Sequence, residues 1–81
     1  MMKEYIATFH THLSALMTRR TLTGLGVQAR MMPVPRKLSS SCGTCVRYLA
    51  EDPHLCAMDE DVEAVYVKIG KEAYTLLMNA E

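Results

Sequence analysis

The sequence predicts a small α+β domain, and three observations predict it. Four short segments, at 4–9, 27–32, 45–49 and 62–69, are rich in β-branched or aromatic residues or alternate in hydropathy, as strands do. Helix-compatible segments fall between the first two of these and after the last. A length of 81 residues leaves room for one domain, 1–81, with a core that is small for its surface.

Each element has its own reason. "EYIATF", residues 4–9, carries β-branched and aromatic side chains and reads as a strand. Thr11 is a fair N-cap for a helix from about His12 to Leu22. Its apolar pattern is weak: Leu13, Leu16 and Met17 share a face, while Leu22 and Leu25 point elsewhere. Gly24 and Gly26 are stop signals. "VQARMM", residues 27–32, alternates loosely and reads as a second strand, ended by Pro33 and Pro35. Residues 36–44 read as loop, and "CVRYL" at 45–49 as a short third strand.

"AEDPHLCAMDED" is broken by Pro53 and allows only a turn or a short helix starting there. "DEDVE", residues 59–63, lacks calcium-ligand spacing and reads as a solvated turn. "VEAVYVKI", residues 62–69, is largely apolar on both faces and reads as a buried strand ended by Gly70. "KEAYTLLMNAE" reads as a final short helix. The order β-α-β-β-(short α)-β-α is similar to that of a ferredoxin-like sandwich, an antiparallel or mixed sheet with helices on one face. A second copy of the chain, as a homodimer, could complete it.

Net charge is zero, but it is not evenly spread. Residues 1–50 hold seven basic residues against Glu4 alone, and residues 51–81 hold two lysines against eight acids. Zero net charge and few aromatic residues argue against a nucleic-acid partner. No apolar run approaches the roughly 20 residues that span a bilayer, and no signal peptide is visible, so a cytoplasmic chain without a membrane partner is expected. There thiols stay reduced, and three cysteines cannot all pair.

The chemistry concentrates in "PVPRKLSSSCGTC", residues 33–45. Cys42-Gly43-Thr44-Cys45 is a C-x-x-C, a spacing shared by zinc sites, iron–sulfur clusters and redox dithiols. For sulfur or selenium carriage, an exposed thiolate is needed in a positive neighbourhood. Arg36 and Lys37 would favour that thiolate, and Ser39, Ser40, Ser41 and Gly43 would shape an anion-binding concavity from free backbone N–H groups. For a metal, Cys42, Cys45, His54 and Cys56 offer four ligands of acceptable type for zinc, although the spacing is irregular. For thioredoxin-type redox, a helix should follow the motif, and strand-like residues follow instead. His10 and His12 read as structural, since in an extended segment they point oppositely.

The run "PVPRKLSSSCG" resembles the selenium/sulfur carrier-like family: proline, a basic pair, an aliphatic residue, serines, then Cys-Gly. The preceding Phe9-His10-Thr11-His12 and Gly26-Val27 are similar to that family's first turn and its helix end. The resemblance covers about residues 4–50. It implies that Cys42, the cysteine before glycine, is the reactive residue. Where Cys45 stands, family members often carry an aliphatic residue, so Cys45 and Cys56 rest on chemistry alone.

The reading is a carrier or accessory protein rather than a turnover enzyme, holding sulfur or selenium on Cys42. Cys45 would resolve a persulfide by an internal disulfide, and no resident cofactor is expected. Its partners would be sulfur or selenium donor and acceptor proteins. The alternatives are a zinc or iron–sulfur module on Cys42, Cys45, His54 and Cys56, and an interaction domain without chemistry.

Overall fold

The computed structural model describes residues 1–80. The elements are β1 (Lys3–Phe9), α1 (His12–Gly24), β2 (Gln28–Pro33), β3 (Thr44–Ala50), a 3-10 turn (Leu55–Ala57), β4 (Val62–Gly70) and β5 (Ala73–Asn79). The strands form one antiparallel sheet in the order β2-β3-β1-β4-β5. The α-helix, the single one among the described residues, lies against β1, β2 and β3, on one face.

Period-2 alternation sets the core. Tyr5, Ala7 and Phe9 of β1 face the same side as Val46, Tyr48 and Ala50 of β3 and Val65 of β4, and all are buried. Ala15 and Leu22 of α1 close this cluster. The Tyr5 and Tyr48 rings stack across the β1–β3 pair, with centroids 5.2 Å apart. The helix buries Ser14, Ala15, Thr18 and Leu22, not the face of Leu13 and Met17, which stay exposed. The buried hydroxyls explain that choice. Ser14 Oγ donates to Asp59 at 2.8 Å, and Thr18 Oγ1 accepts from Asp59 N–H at 2.9 Å. Two polar side chains on the inner face are thus satisfied by the segment ahead of β4.

The helix ends follow their chemistry. Thr11 accepts from Ser14 N–H at 3.1 Å, as an N-cap does. Gly26, at φ +82, closes a Schellman motif in which Val27 N–H reaches Leu22 O and Gly26 N–H reaches Thr23 O.

Two expectations are corrected. The segment expected to be a final helix is strand β5. Lys71 and Glu72 make a tight turn, with Glu72 at φ +60, and β5 then satisfies the outer edge of β4. Pairing with an otherwise open strand edge overrides the helix propensity of Leu, Met and Ala. The expected short second helix is one 3-10 turn. Pro53 and the left-handed His54 (φ 51) stop anything longer. Among the described residues, one face of the sheet therefore carries no helix.

Candidate functional site

The connection from β2 to β3, residues 34–43, lies at the end of the sheet where β1 finishes and β4 begins. Pro33 is the last residue of β2, opposite Thr44, and β2 is an edge strand, where proline is tolerated. The loop closes with Val34 N–H on Gly43 O at 3.1 Å, and Gly43 takes φ +73 to allow it.

Within this loop the serines make most of the contacts. Ser40 Oγ stands 2.8 Å from both Phe9 O and Glu63 Oε1, and its one proton can go to either. Ser41 donates its backbone N–H to Glu63 Oε1 at 3.0 Å and its hydroxyl to Glu63 Oε2 at 2.8 Å. His10 Nδ1 lies 3.3 Å from Ser41 Oγ and 3.4 Å from Glu63 Oε2. Ser39 stays exposed and lines a small polar cavity with Thr8, Glu63 and Tyr66.

Glu63 reaches the loop through a β-bulge. Thr8 pairs with Ala64 and Phe9 with Val62, so Glu63 has no partner on β1. Bulges re-aim side chains in this way. The Glu63 side chain is 15% exposed. Burial alone would raise its pKa, but the hydrogen bonds from Ser41 and Ser40, with His10 nearby, hold it below the ordinary carboxylate range.

The two thiols of the C-x-x-C differ. Cys42 is half-buried, donates to Thr44 O at 3.5 Å and lies 3.9 Å from Ser40 Oγ. Cys45 is fully buried in β3 and donates to Pro33 O at 3.8 Å. Burial, and next the Cys42 sulfur, push the Cys45 pKa up to about 11. Arg36 and Lys37 are exposed, and the hydrogen-bond neighbours of the Cys42 thiol are Thr44 O and Ser40 Oγ rather than either cation. Cys42 and Cys45 lie at the start of β3, while His54 and exposed Cys56 lie beyond its end. Among the described residues, no three His, Cys, Asp or Glu side chains gather into a group that could hold a metal ion.

Sequence reasoning missed Glu63 and set His10 aside. The "DEDVE" turn expected to be solvated delivers its last residue into the loop. The free N–H groups expected of the serine run are in part occupied, since Ser41 N–H already binds this carboxylate. The available signal was a lone Glu between Val62 and Ala64 in the apolar first half of the strand.

Fold and site together define a small one-helix α+β domain that presents one partly open thiol on a serine-rich loop. The chain belongs to the family described as "Putative Se/S carrier protein-like", which matches residues 4–66. It is also similar to Uncharacterized protein YtiA of Escherichia coli (strain K12), 36% identical over 45 residues. That alignment covers 56% of this chain, and the chain spans only about half, 53%, of that relative's length. No solved structure matches. Among the described residues, no helix is long and apolar enough to cross a membrane.

Proposed function

We propose that this protein is a sulfur or selenium carrier, or an accessory protein to one, and that Cys42 holds the cargo. The observation that carries the reading is the division between the two thiols: Cys42 is partly open on the loop, and Cys45 is buried in β3. The family membership points the same way. The strand order β2-β3-β1-β4 supports a ferredoxin-like sheet in which the second helix has shrunk to a single turn and β5 has been added.

The chemistry balances without an added oxidant. The Cys42 sulfur, as thiolate, attacks the outer sulfur of a persulfide donor R–S–SH. The donor S–S bond breaks, R–S⁻ leaves and takes up the proton that Cys42 gave up, and Cys42–S–SH remains. An acceptor thiolate can then take the outer sulfur. Alternatively, Cys45 attacks the inner sulfur, the Cys42–Cys45 disulfide forms, and hydrosulfide leaves. The raised pKa of Cys45 keeps it a protonated thiol near neutral pH, so this second route is slow and cargo is retained. Exposed Arg36 and Lys37 would form a positive rim for an anionic donor.

Intact mass of the reduced protein, before and after a persulfide donor, tests the reading. One added sulfur, lost in Cys42→Ser and kept in Cys45→Ser, is expected. No adduct on the parent protein, with stoichiometric zinc in native mass spectra, would replace the carrier with a metal module.

A further inference from the structure

Three donors converge on one carboxylate at the Cys42 loop. Ser41 supplies a backbone N–H at 3.0 Å and a hydroxyl at 2.8 Å, and Ser40 supplies a hydroxyl at 2.8 Å. They reach both oxygens of Glu63, and His10 Nδ1 stands 3.4 Å from the second. Backbone and hydroxyl donors gathered in this way form an anion site. Its occupant belongs to the protein itself, delivered by a bulge that gives up one pairing on β4. A polar cavity of about 140 Å³, lined by Thr8, Ser39, Glu63, Ala64, Tyr66 and Asn79, adjoins the cradle and shares Glu63 with it.

We propose that the Ser40–Ser41 segment is a carboxylate-binding cradle whose built-in ligand is Glu63, and that Glu63 is thereby the positioning residue for Cys42. The path to the thiol is short. Ser40 Oγ touches Glu63 and lies 3.9 Å from Cys42 Sγ, and Cys42 directly follows Ser41. With the carboxylate in place, the loop is held against the ends of β1 and β4, and Cys42 is half-buried. Without it, the Ser41 N–H and hydroxyl lose their acceptor, Ser40 is left with Phe9 O alone, and the loop loosens. The cradle also selects: an anionic cargo group must displace a resident carboxylate before it can use the serine donors. The importance of the cradle rests on the reading of Cys42 as the working thiol, but its test needs no sulfur transfer.

The test is the rate of Cys42 alkylation by iodoacetamide in the native protein, read by peptide mass in a Cys56→Ser background. Loss of charged hydrogen bonds of this kind corresponds to about a tenfold change in an opening equilibrium, so Glu63→Ala should react about tenfold faster than the parent. Added formate should slow Glu63→Ala back toward the parent rate, while chloride at equal ionic strength should not. Formate should leave the parent unchanged, because its cradle is filled. Glu63→Gln should stay fast, because an amide nitrogen in place of the second oxygen cannot accept from the Ser41 hydroxyl. A Glu63→Ala rate equal to the parent's, or formate and chloride acting alike, would overturn the proposal. Should circular dichroism show Glu63→Ala unfolded, Ser41→Ala serves instead: it should be fast and insensitive to formate, and a parent-like rate counts against the cradle. Sulfur uptake by the parent is scored separately, so a carrier that fails to load and a cradle that fails to bind remain distinct results.

Discussion

The Cys45 thiol points at the Pro33 carbonyl, 3.8 Å away, across the pair formed by β3 and edge strand β2. Three residues earlier, Cys42 turns back on Thr44 O at the loop. One C-x-x-C therefore presents one thiol and buries the other. Native protein should alkylate Cys42 and exposed Cys56 while Cys45 reacts only on unfolding. Peptide mass mapping at mildly alkaline pH checks this, and equal labelling of all three would refute it. Folding raises the pKa of the Cys45 thiol, which makes stability depend on pH. Below the ordinary thiol range both states hold the proton. Above it the unfolded chain loses the proton first, so stability falls as pH rises toward about 11. In a Cys42→Ser/Cys56→Ser protein, Cys45→Ala should flatten that decline.

Glu63 should make the fold sensitive to acid. Its pKa is held down because hydrogen bonds from the serines outweigh the opposing effect of burial. The unfolded chain then takes up the proton at higher pH than the folded one. The stabilisation is complete above the ordinary Glu range and is lost as pH falls through and below it. Urea midpoints taken from about pH 6 down to about pH 3 should fall more steeply in the parent than in Glu63→Gln. Parallel slopes would show that the carboxylate contributes nothing.

Glu4 is the anionic centre of the helix-free face. Arg47 grips it in two hydrogen bonds of 2.9 and 3.2 Å, diagonally across the β1–β3 pair, and Lys68 lies 3.9 Å away. The Arg47 hydrogen bond is the main reason its pKa is lowered. Removing it leaves Arg47 directly opposite Arg30 with no shared counter-charge. Glu4→Gln should cost roughly 0.5–1 kcal/mol of stability, since the pair is bidentate but partly exposed. Chemical denaturation at low and high salt checks it. The loss should shrink as salt rises, and a salt-independent loss would point to packing.

Gly43→Ala isolates the backbone of the loop. Beyond its chain neighbours, nothing lies within 4 Å of where the Cβ would stand, so the cost comes from φ +73. That cost is about 1 kcal/mol, equivalent to a Tm lower by roughly 4–8 °C in a domain of this size. Gly43→Asn, which tolerates the left-handed region better, should lose less. Equal loss in both variants would place the cause elsewhere than φ.

The sequence made some elements legible and hid others. β1, β3 and β4 were legible because β-branched and aromatic residues at period two report local preference and burial together. The helix start was legible from Thr11, and its end from Gly26. The buried face of α1 was not, because Ser14 and Thr18 face inward and are satisfied by Asp59, a residue far along the chain. β5 was not, because its segment prefers helix in isolation and becomes a strand only beside β4.

The same line divides the site. By itself the sequence determined the Pro, Ser and Gly punctuation of the loop, the C-x-x-C and the candidate reactive Cys42, since turn residues and thiols act through local geometry. Only the tertiary structure decided which thiol is covered and which anion fills the serines. Burial of Cys45 depends on strand register, and delivery of Glu63 depends on a bulge between β1 and β4. Both are properties of pairing between segments distant along the chain, where local preference carries no information.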